Sequence, residues 1–270
     1  MIQAPRFLLL CLFCCAPALL TAADLAREQR ISADIERYLS FGQALRLKAG
    51  QWEFLALHEE ADSQEIKGGV ILLHDWNGHA DRLGVIQHLR IGLTRHGWET
   101  LSLQLPLASE GAPQFERQGL ITQALPRIQA AGDYYAKRNI KQTVLIGHGL
   151  GARMALAALA GNQPASARGL VLIGMALDEA DQAGKEQLRK IQLPLLDLMG
   201  QRDSPAVLAS KRLRRKTARY GGNRNYRQVS IIGADHEFYN REQMLLLRIV
   251  GWLNRHLKPD EPGSYKGIGP

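Results

Sequence analysis

The sequence predicts an α/β fold in which a mostly parallel sheet carries helices on both faces, with little or no lid. Three observations predict it. Short continuous apolar runs, such as Val70-Ile71-Leu72-Leu73 and Leu170-Val171-Leu172-Ile173, have the form of strands buried on both faces. Segments of helical periodicity separate these runs, the alternation that βαβ units require. Reactive residue types gather just after the runs, at the carboxyl ends of the expected strands, where open α/β sheets place their working groups.

The elements follow in order. Residues 24–41 are polar, with Ile31, Ile35, Tyr38 and Leu39 at helical spacing, and predict an amphipathic helix. Strands are expected over 52–57, 70–73 and 98–105, with a helix over 81–96 between the last two. Leu83, Ile86, Leu89 and Leu93 supply that helix's apolar stripe and Gly97 its stop. A helical segment interrupted at Pro126 runs to about Lys137. Strands over 143–146, 169–174, 193–199 and 226–232 then alternate with helices over 150–160, 178–190, 205–220 and 239–257. His58, His88, His96 and His256 read as surface or capping residues.

A chain of 270 residues can bury one substantial core. With 46% hydrophobic and 22% charged residues it is a globular chain rather than a disordered one. Its formal net charge of +8 favours acidic partners: a protein, a glycan or a lipid surface. No nucleic-acid motif accompanies that charge, so nucleic acid is not an expected partner.

The domain plan has four parts. Residues 1–23 read as a secretory signal peptide, with Arg6 ahead of an apolar run and Thr21-Ala22-Ala23 as the cleavage region. The apolar run is shorter than the roughly 20 residues a membrane span needs, and it contains Pro17. A periplasmic or secreted protein is expected, without a transmembrane segment once the signal is removed. Cys11, Cys14 and Cys15 all lie in that segment, so the mature chain offers neither a thiol nucleophile nor a disulfide. Residues 24–50 form an N-terminal helical segment, 51–258 the main domain and 259–270 a flexible tail rich in Gly and Pro.

The central motif is Val144-Leu145-Ile146-Gly147-His148-Gly149-Leu150-Gly151-Ala152. It has the strand–turn–helix form of a nucleophile elbow, G-x-S-x-G, with Gly149 where the serine belongs. Three further loops end strands: His74-Asp75-Trp76-Asn77-Gly78, Gly200-Gln201-Arg202-Asp203 and Gly233-Ala234-Asp235-His236. Elbow, then acid, then histidine is the chain order of an α/β-hydrolase triad.

On these motifs the chain resembles the α/β-hydrolase superfamily. Together with residues 97–106 they also make it similar to a bacterial family of exported proteins, domain of unknown function 3530. The resemblance implies that Asp203 and His236 are the acid and histidine of a triad frame, with Gly149 at the nucleophile position. It also implies that His74, Asp75 and Trp76, with Leu150, form the oxyanion-type loop.

Glycine at the elbow keeps the turn and deletes the hydroxyl. The adopted reading is therefore a pseudo-hydrolase that acts in binding or assembly. The alternative is a hydrolase of an ester, thioester or amide, using another nucleophile or a water activated by His236. Ser102, Ser109 and Ser204 are the available hydroxyls. A metal site from His74, His79, His148, Asp203 and His236 is a third reading, but the spacing matches no metal motif, and none is adopted. No cofactor is expected: the glycine run lacks dinucleotide spacing and no phosphate-binding lysine follows it. Basic residues from Lys211 to Arg227, centred on Arg212, Arg214 and Arg215, offer either a solvated helix face or a docking surface for an acidic envelope component.

Overall fold

The computed structural model describes residues 23–161 and 164–257. The proposed signal segment, apart from its last residue, and the tail lie outside them. Seven helices and eight strands alternate along the described chain: α1 (Leu25–Tyr38), β1 (Gln43–Ala49), β2 (Trp52–Glu59), β3 (Gly68–Leu73), α2 (Val85–Gly92), β4 (Trp98–Leu103), α3 (Gln114–Lys137), β5 (Thr143–His148), α4 (Leu150–Ala160), β6 (Ala167–Ile173), α5 (Gln182–Lys190), β7 (Leu195–Gly200), α6 (Pro205–Tyr220), β8 (Tyr226–Ile231) and α7 (Glu242–His256). One sheet takes them in the order β1-β2-β4-β3-β5-β6-β7-β8. β2 is antiparallel to both its neighbours, and the remaining pairs are parallel.

Strand periodicity builds the two layers. Side chains alternate across a strand, so Ile71 and Leu73 of β3 join the core beneath α3 and α4, while Val70 and Leu72 join that beneath α2 and α7. The strands β3 to β7 are buried throughout, apart from Arg168 in β6. α5 is the one helix between β6 and β7, so no lid domain interrupts the sheet.

Helix α1 packs on the domain. Its Glu28 forms a buried pair with Arg127 of α3 at 2.7 Å, and the same guanidinium donates to the Gln104 carbonyl. Arg27 donates to the Ala108 carbonyl and the Asn77 side chain, which ties α1 to the loop that follows β3.

Several elements differ from the sequence expectation. Gln43–Ala49 is a strand paired with β2, so residues 24–50 are not helical throughout. The helix expected over 81–96 starts only at Val85, because Gly84 has φ +86°, and it ends in a short 3-10 turn, Thr94–His96. Leu83 lies outside it and is exposed. Pro126 sits inside a continuous α3; Leu120, Ala124, Ile128, Ala131 and Tyr135 anchor the helix to the core on both sides of the missing N–H. His58 is no surface residue: it is buried against Glu99 at 3.0 Å.

The basic cluster also changes meaning. Arg214 is buried and cannot dock a partner. Its guanidinium donates to Asp197 at 2.9 Å, to the Val207 carbonyl and to Ser210. Tyr226 and Gln228 complete the coordination of the same Asp197 oxygen. Arg212 and Arg215 remain on the exposed face of α6. In urea denaturation, Arg214→Gln is expected to cost about 3–5 kcal/mol because it strands a buried carboxylate. Arg212→Gln and Arg215→Gln are expected to stay within about 0.5 kcal/mol of the parent.

Candidate active site

The site lies at the carboxyl ends of β3, β5, β7 and β8, as the topology directs. Strand β5 runs into Gly149, whose φ of +54° and ψ of −116° make the sharp turn into α4. An L side chain adopts that conformation only under strain. Gly151 serves the same approach: a Cβ there would overlap the carbonyl oxygens of Leu73 and His74, so its absence lets α4 settle against the end of β3. The elbow survives as backbone.

Its seat is not empty. A Cβ built on Gly149 would overlap the carboxylate of Asp75. The Leu150 amide, the N–H that receives an oxyanion in this fold, donates to Asp75 Oδ1 at 2.5 Å. The other oxygen, Oδ2, lies 3.4 Å from His236 Nε2. The side chain of Asp75 stands where the side chain of a residue at 149 would stand.

His74 aims it there. The Leu105 amide donates to His74 Nε2 at 3.0 Å, so Nδ1 carries the proton and donates to the Asp75 carbonyl at 2.7 Å. Burial holds this imidazole neutral, pushing its pKa down to about 3. His74 is therefore a brace that bends the chain after β3, and its ring does not reach the substrate side.

His236 is held from both ends. Its Nδ1 donates to Asp203 Oδ1 at 2.7 Å, and Asp203 is fixed in turn by the Gly200 and Ser204 amides at 3.0 and 2.8 Å. Burial opposes protonation of His236, but the hydrogen bonds and charges of Asp203 and Asp75 outweigh it and raise its pKa to about 10. Burial likewise opposes ionisation of Asp75; the His236 hydrogen bond, the His148 charge and the Leu150 and Trp76 amides overturn that and bring it down to about 2. Burial also works against the Asp203 carboxylate, yet the His236 bond keeps its pKa below the usual value. At neutral pH the centre is carboxylate–imidazolium–carboxylate, with a net charge of −1.

His148 packs beneath this row. Its ring centroid is 4.7 Å from that of His236, and its Nε2 donates to the His236 carbonyl at 2.9 Å. Burial keeps its pKa below the ordinary value. The hydroxyls fare differently from one another. Ser102 is buried in β4 and donates to the Ala80 carbonyl; Ser109 is exposed; Ser204 borders the cleft but faces it from the N-terminus of α6. None takes the elbow position. Among the described residues no three His, Cys, Asp or Glu side chains converge as a metal site, and His79 Nδ1 accepts from the Asp81 amide instead.

A cleft of about 860 Å³ opens over the row and is bordered by Asp75, Trp76, Gly149, Leu150 and His236. Its walls are mixed, with Arg153, Asp178, Glu179 and Asp181 among apolar side chains, and Arg117 lies 3.7 Å over the Trp76 ring. The structure brings together three positions that the sequence singles out: Asp203, His236 and Gly149. The sequence places Asp75 in the oxyanion-type loop, and the structure sets its side chain beside Gly149 and on the Leu150 amide. The available signal was the coincidence of a glycine at the elbow with a carboxylate after β3.

The fold and this arrangement define an α/β-hydrolase-fold protein. The chain belongs to the family described as protein of unknown function DUF3530, whose pattern matches residues 8–124 and 114–255. Among solved structures it is similar to a dienelactone hydrolase from Anabaena variabilis, at 20% identity over 80% of this chain and 98% of that one, with a TM-score of 0.63. It is also similar to Est1E from Butyrivibrio proteoclasticus, at 15% identity over 79% and 98% of the two chains and a TM-score of 0.62. An esterase from Pyrococcus furiosus matches at 14% identity over 82% and 94%, with a TM-score of 0.65. No curated protein matches the chain.

Two outcomes follow from the geometry. Gly149→Ala is expected to lose about 1–3 kcal/mol through backbone strain alone, and more through overlap with Asp75. Adding Asp75→Ala should recover the overlap part and leave the strain, as a double-mutant cycle in urea would show. The second outcome concerns pH. His236 titrates at about 10 when folded against an ordinary 6.5, so its stabilisation is complete below about 6.5 and is lost as pH rises towards 10. That of Asp75, at about 2 against 3.8, is lost only as pH falls below 3.8. Melting temperature should therefore decline between about pH 6.5 and 10, and less steeply in Asp75→Asn than in the parent.

Proposed function

We propose that this protein is an exported hydrolase whose nucleophilic centre is the Asp75 carboxylate, served by His236 and Asp203, rather than a serine enzyme. The observation that carries the reading is the place of Asp75: one oxygen on the Leu150 amide, the other facing His236, in the space a Gly149 side chain would occupy. A carboxylate can act as a covalent nucleophile, provided a neighbouring group activates water to release the intermediate. His236 is in position for that, and Asp203 orients it.

The chemistry divides between these groups. Asp75 Oδ2 attacks the substrate, and His236 supplies a proton to the leaving group. Covalent capture neutralises Asp75 and removes one of the two charges that hold the His236 proton. The imidazole then accepts a proton from water as that water attacks the intermediate. The adjoining cleft has the volume of a small-molecule site. Hydrolase-fold neighbours, esterases and a dienelactone hydrolase among them, support hydrolysis as the class of reaction.

A second reading remains, favoured by Gly149 itself: a pseudo-hydrolase that binds a ligand in the cleft and turns nothing over. Export rests on the N-terminal run of residues 1–23. Among the described residues no helix is long and apolar enough to cross a membrane. Docking on an acidic envelope component is supported by the exposed basic side chains of α6, Arg212 and Arg215 included, and no longer by Arg214.

One assay separates the two readings. On a panel of chromogenic acyl and alkyl substrates, the parent should show turnover that falls on the order of 10⁴-fold or more in Asp75→Asn and in His236→Gln. A serine-reactive phosphonate should leave the parent unlabelled. Turnover that survives Asp75→Asn would remove the carboxylate from the mechanism, and a parent inert across the panel would favour the pseudo-hydrolase.

A further inference from the structure

We propose that the groove between β8 and α7 binds a single-chain amphiphile with an anionic head, the head on its arginines and the chain along Val229, Met244 and Leu247. The groove shares no lining residue with the cleft over Asp75, and the inference does not depend on how that cleft works.

The groove arises because the sheet is covered unequally. Helices α3, α4, α5 and α6 pack on one face, whereas α2 and α7 alone pack on the other. Strand β8 is the last of the sheet. Its Arg227 pairs in register with Leu196 of β7, which belongs to the core beneath α7, so Arg227 and Val229 look towards that sparsely covered side. Val229 is only partly buried there. Between strand and helix a groove of about 870 Å³ remains, with Leu196 and Trp252 in its walls, a volume typical of small-molecule sites. It lies across the sheet from α6, apart from the basic face of that helix.

Its charge has one sign. Arg227, Arg241, Arg248 and Arg255 border it against a single carboxylate, Glu242. Among the described residues none of the four guanidiniums is in an ion pair, unlike Arg90, Arg127 and Arg214. The excess is felt locally: burial, and then the charges of Arg255 and Arg227, hold the His256 pKa below its ordinary value. An anion relieves that repulsion and takes up guanidinium donors. A second copy of this chain, placed symmetrically, would set the same arginines against these.

Charge is only half of the surface. Met244, Leu247, Arg248, Gly251 and Arg255 recur at intervals of three and four along α7 and so form one stripe. Met244 and Leu247 are 44% and 54% exposed, leaving apolar area beside the arginines. Gly251 adds room. A Cβ there would meet nothing within 4 Å, so no neighbour demands glycine in the middle of a helix, where it is unfavourable; its effect is to keep the helix wall low. A bare anion would leave the apolar strip in water, and a hydrocarbon would leave the guanidiniums without acceptors. A chain with an anionic head satisfies both.

Calorimetry with octyl phosphate, kept below its micelle concentration, tests this on the full chain. One molecule should bind per chain, displacing the ring NMR signals of His256, which stacks on Trp252 at 5.3 Å. Affinity should fall at least about tenfold in the Arg248→Gln/Arg255→Gln pair, and as much in Gly251→Leu, whose side chain enters the groove. Inorganic phosphate and octanol should each bind the parent at least about tenfold more weakly than octyl phosphate. Gly251→Leu should melt no lower than the parent, which separates blocking from unfolding. Octyl phosphate affinity unchanged in both variants would put the ligand elsewhere and overturn the proposal. Inorganic phosphate binding as tightly as octyl phosphate would remove the chain from it. A parent that ignores octyl phosphate also overturns it, and binding to phosphatidylglycerol vesicles in that case would make this face a membrane surface instead.

Discussion

A carboxylate and a Cβ cannot share the space beside residue 149, and the whole site follows from that exclusion. Glycine there leaves the elbow's backbone intact at φ +54° while clearing a volume that Asp75 fills from the end of β3. The occupant is then fixed by three neighbours: the Leu150 amide at one oxygen, His236 at the other and His74 through the loop backbone. The missing side chain at 149 and the carboxylate of Asp75 thus share one volume, reached from two strands. What reads in the sequence as an elbow without a hydroxyl is, in space, an elbow with a carboxylate beside it.

Burial sets the electrostatics of the row. Each of its groups is charged against a desolvation cost, and each is kept charged by its neighbour. Asp203 alone would support an ordinary histidine–acid pair; adding Asp75 on the other ring nitrogen makes the imidazolium the resting form. Removing the charge of Asp75 by substitution weakens that hold and leaves the part that Asp203 supplies. The same solution to buried charge recurs away from the site. Arg90 pairs with Glu59 and Asp81, Arg127 with Glu28 and Arg214 with Asp197, so the fold clamps its outer helices and strands with guanidinium–carboxylate pairs.

The parallel core was legible because its strands are continuous apolar runs and its turns are punctuated by glycine. The acid and histidine loops were legible because their chain order is fixed by topology. Strand β1 was not: Gln43–Ala49 alternates polar and apolar residues and lies at the sheet's edge, mostly exposed, so no buried-strand signal marks it. Arg214 and His58 escaped for another reason. A charged or polar residue reads as surface until a partner from a distant strand, Asp197 or Glu99, is brought against it. Asp75 combines both difficulties. Its loop is recognisable, but nothing in linear spacing says that its side chain reaches the elbow that follows β5 at Gly149.

The central claim is a contact between a backbone amide and a side chain, so it can be read directly by NMR at the Leu150 amide. An N–H donating a short hydrogen bond to an ionised carboxylate should resonate well downfield and exchange slowly, and both properties should vanish in Asp75→Ala while the other amides of α4 keep their shifts. A Leu150 amide at an ordinary shift in the parent, unmoved by Asp75→Ala, would contradict the placement of the carboxylate in the nucleophile's seat.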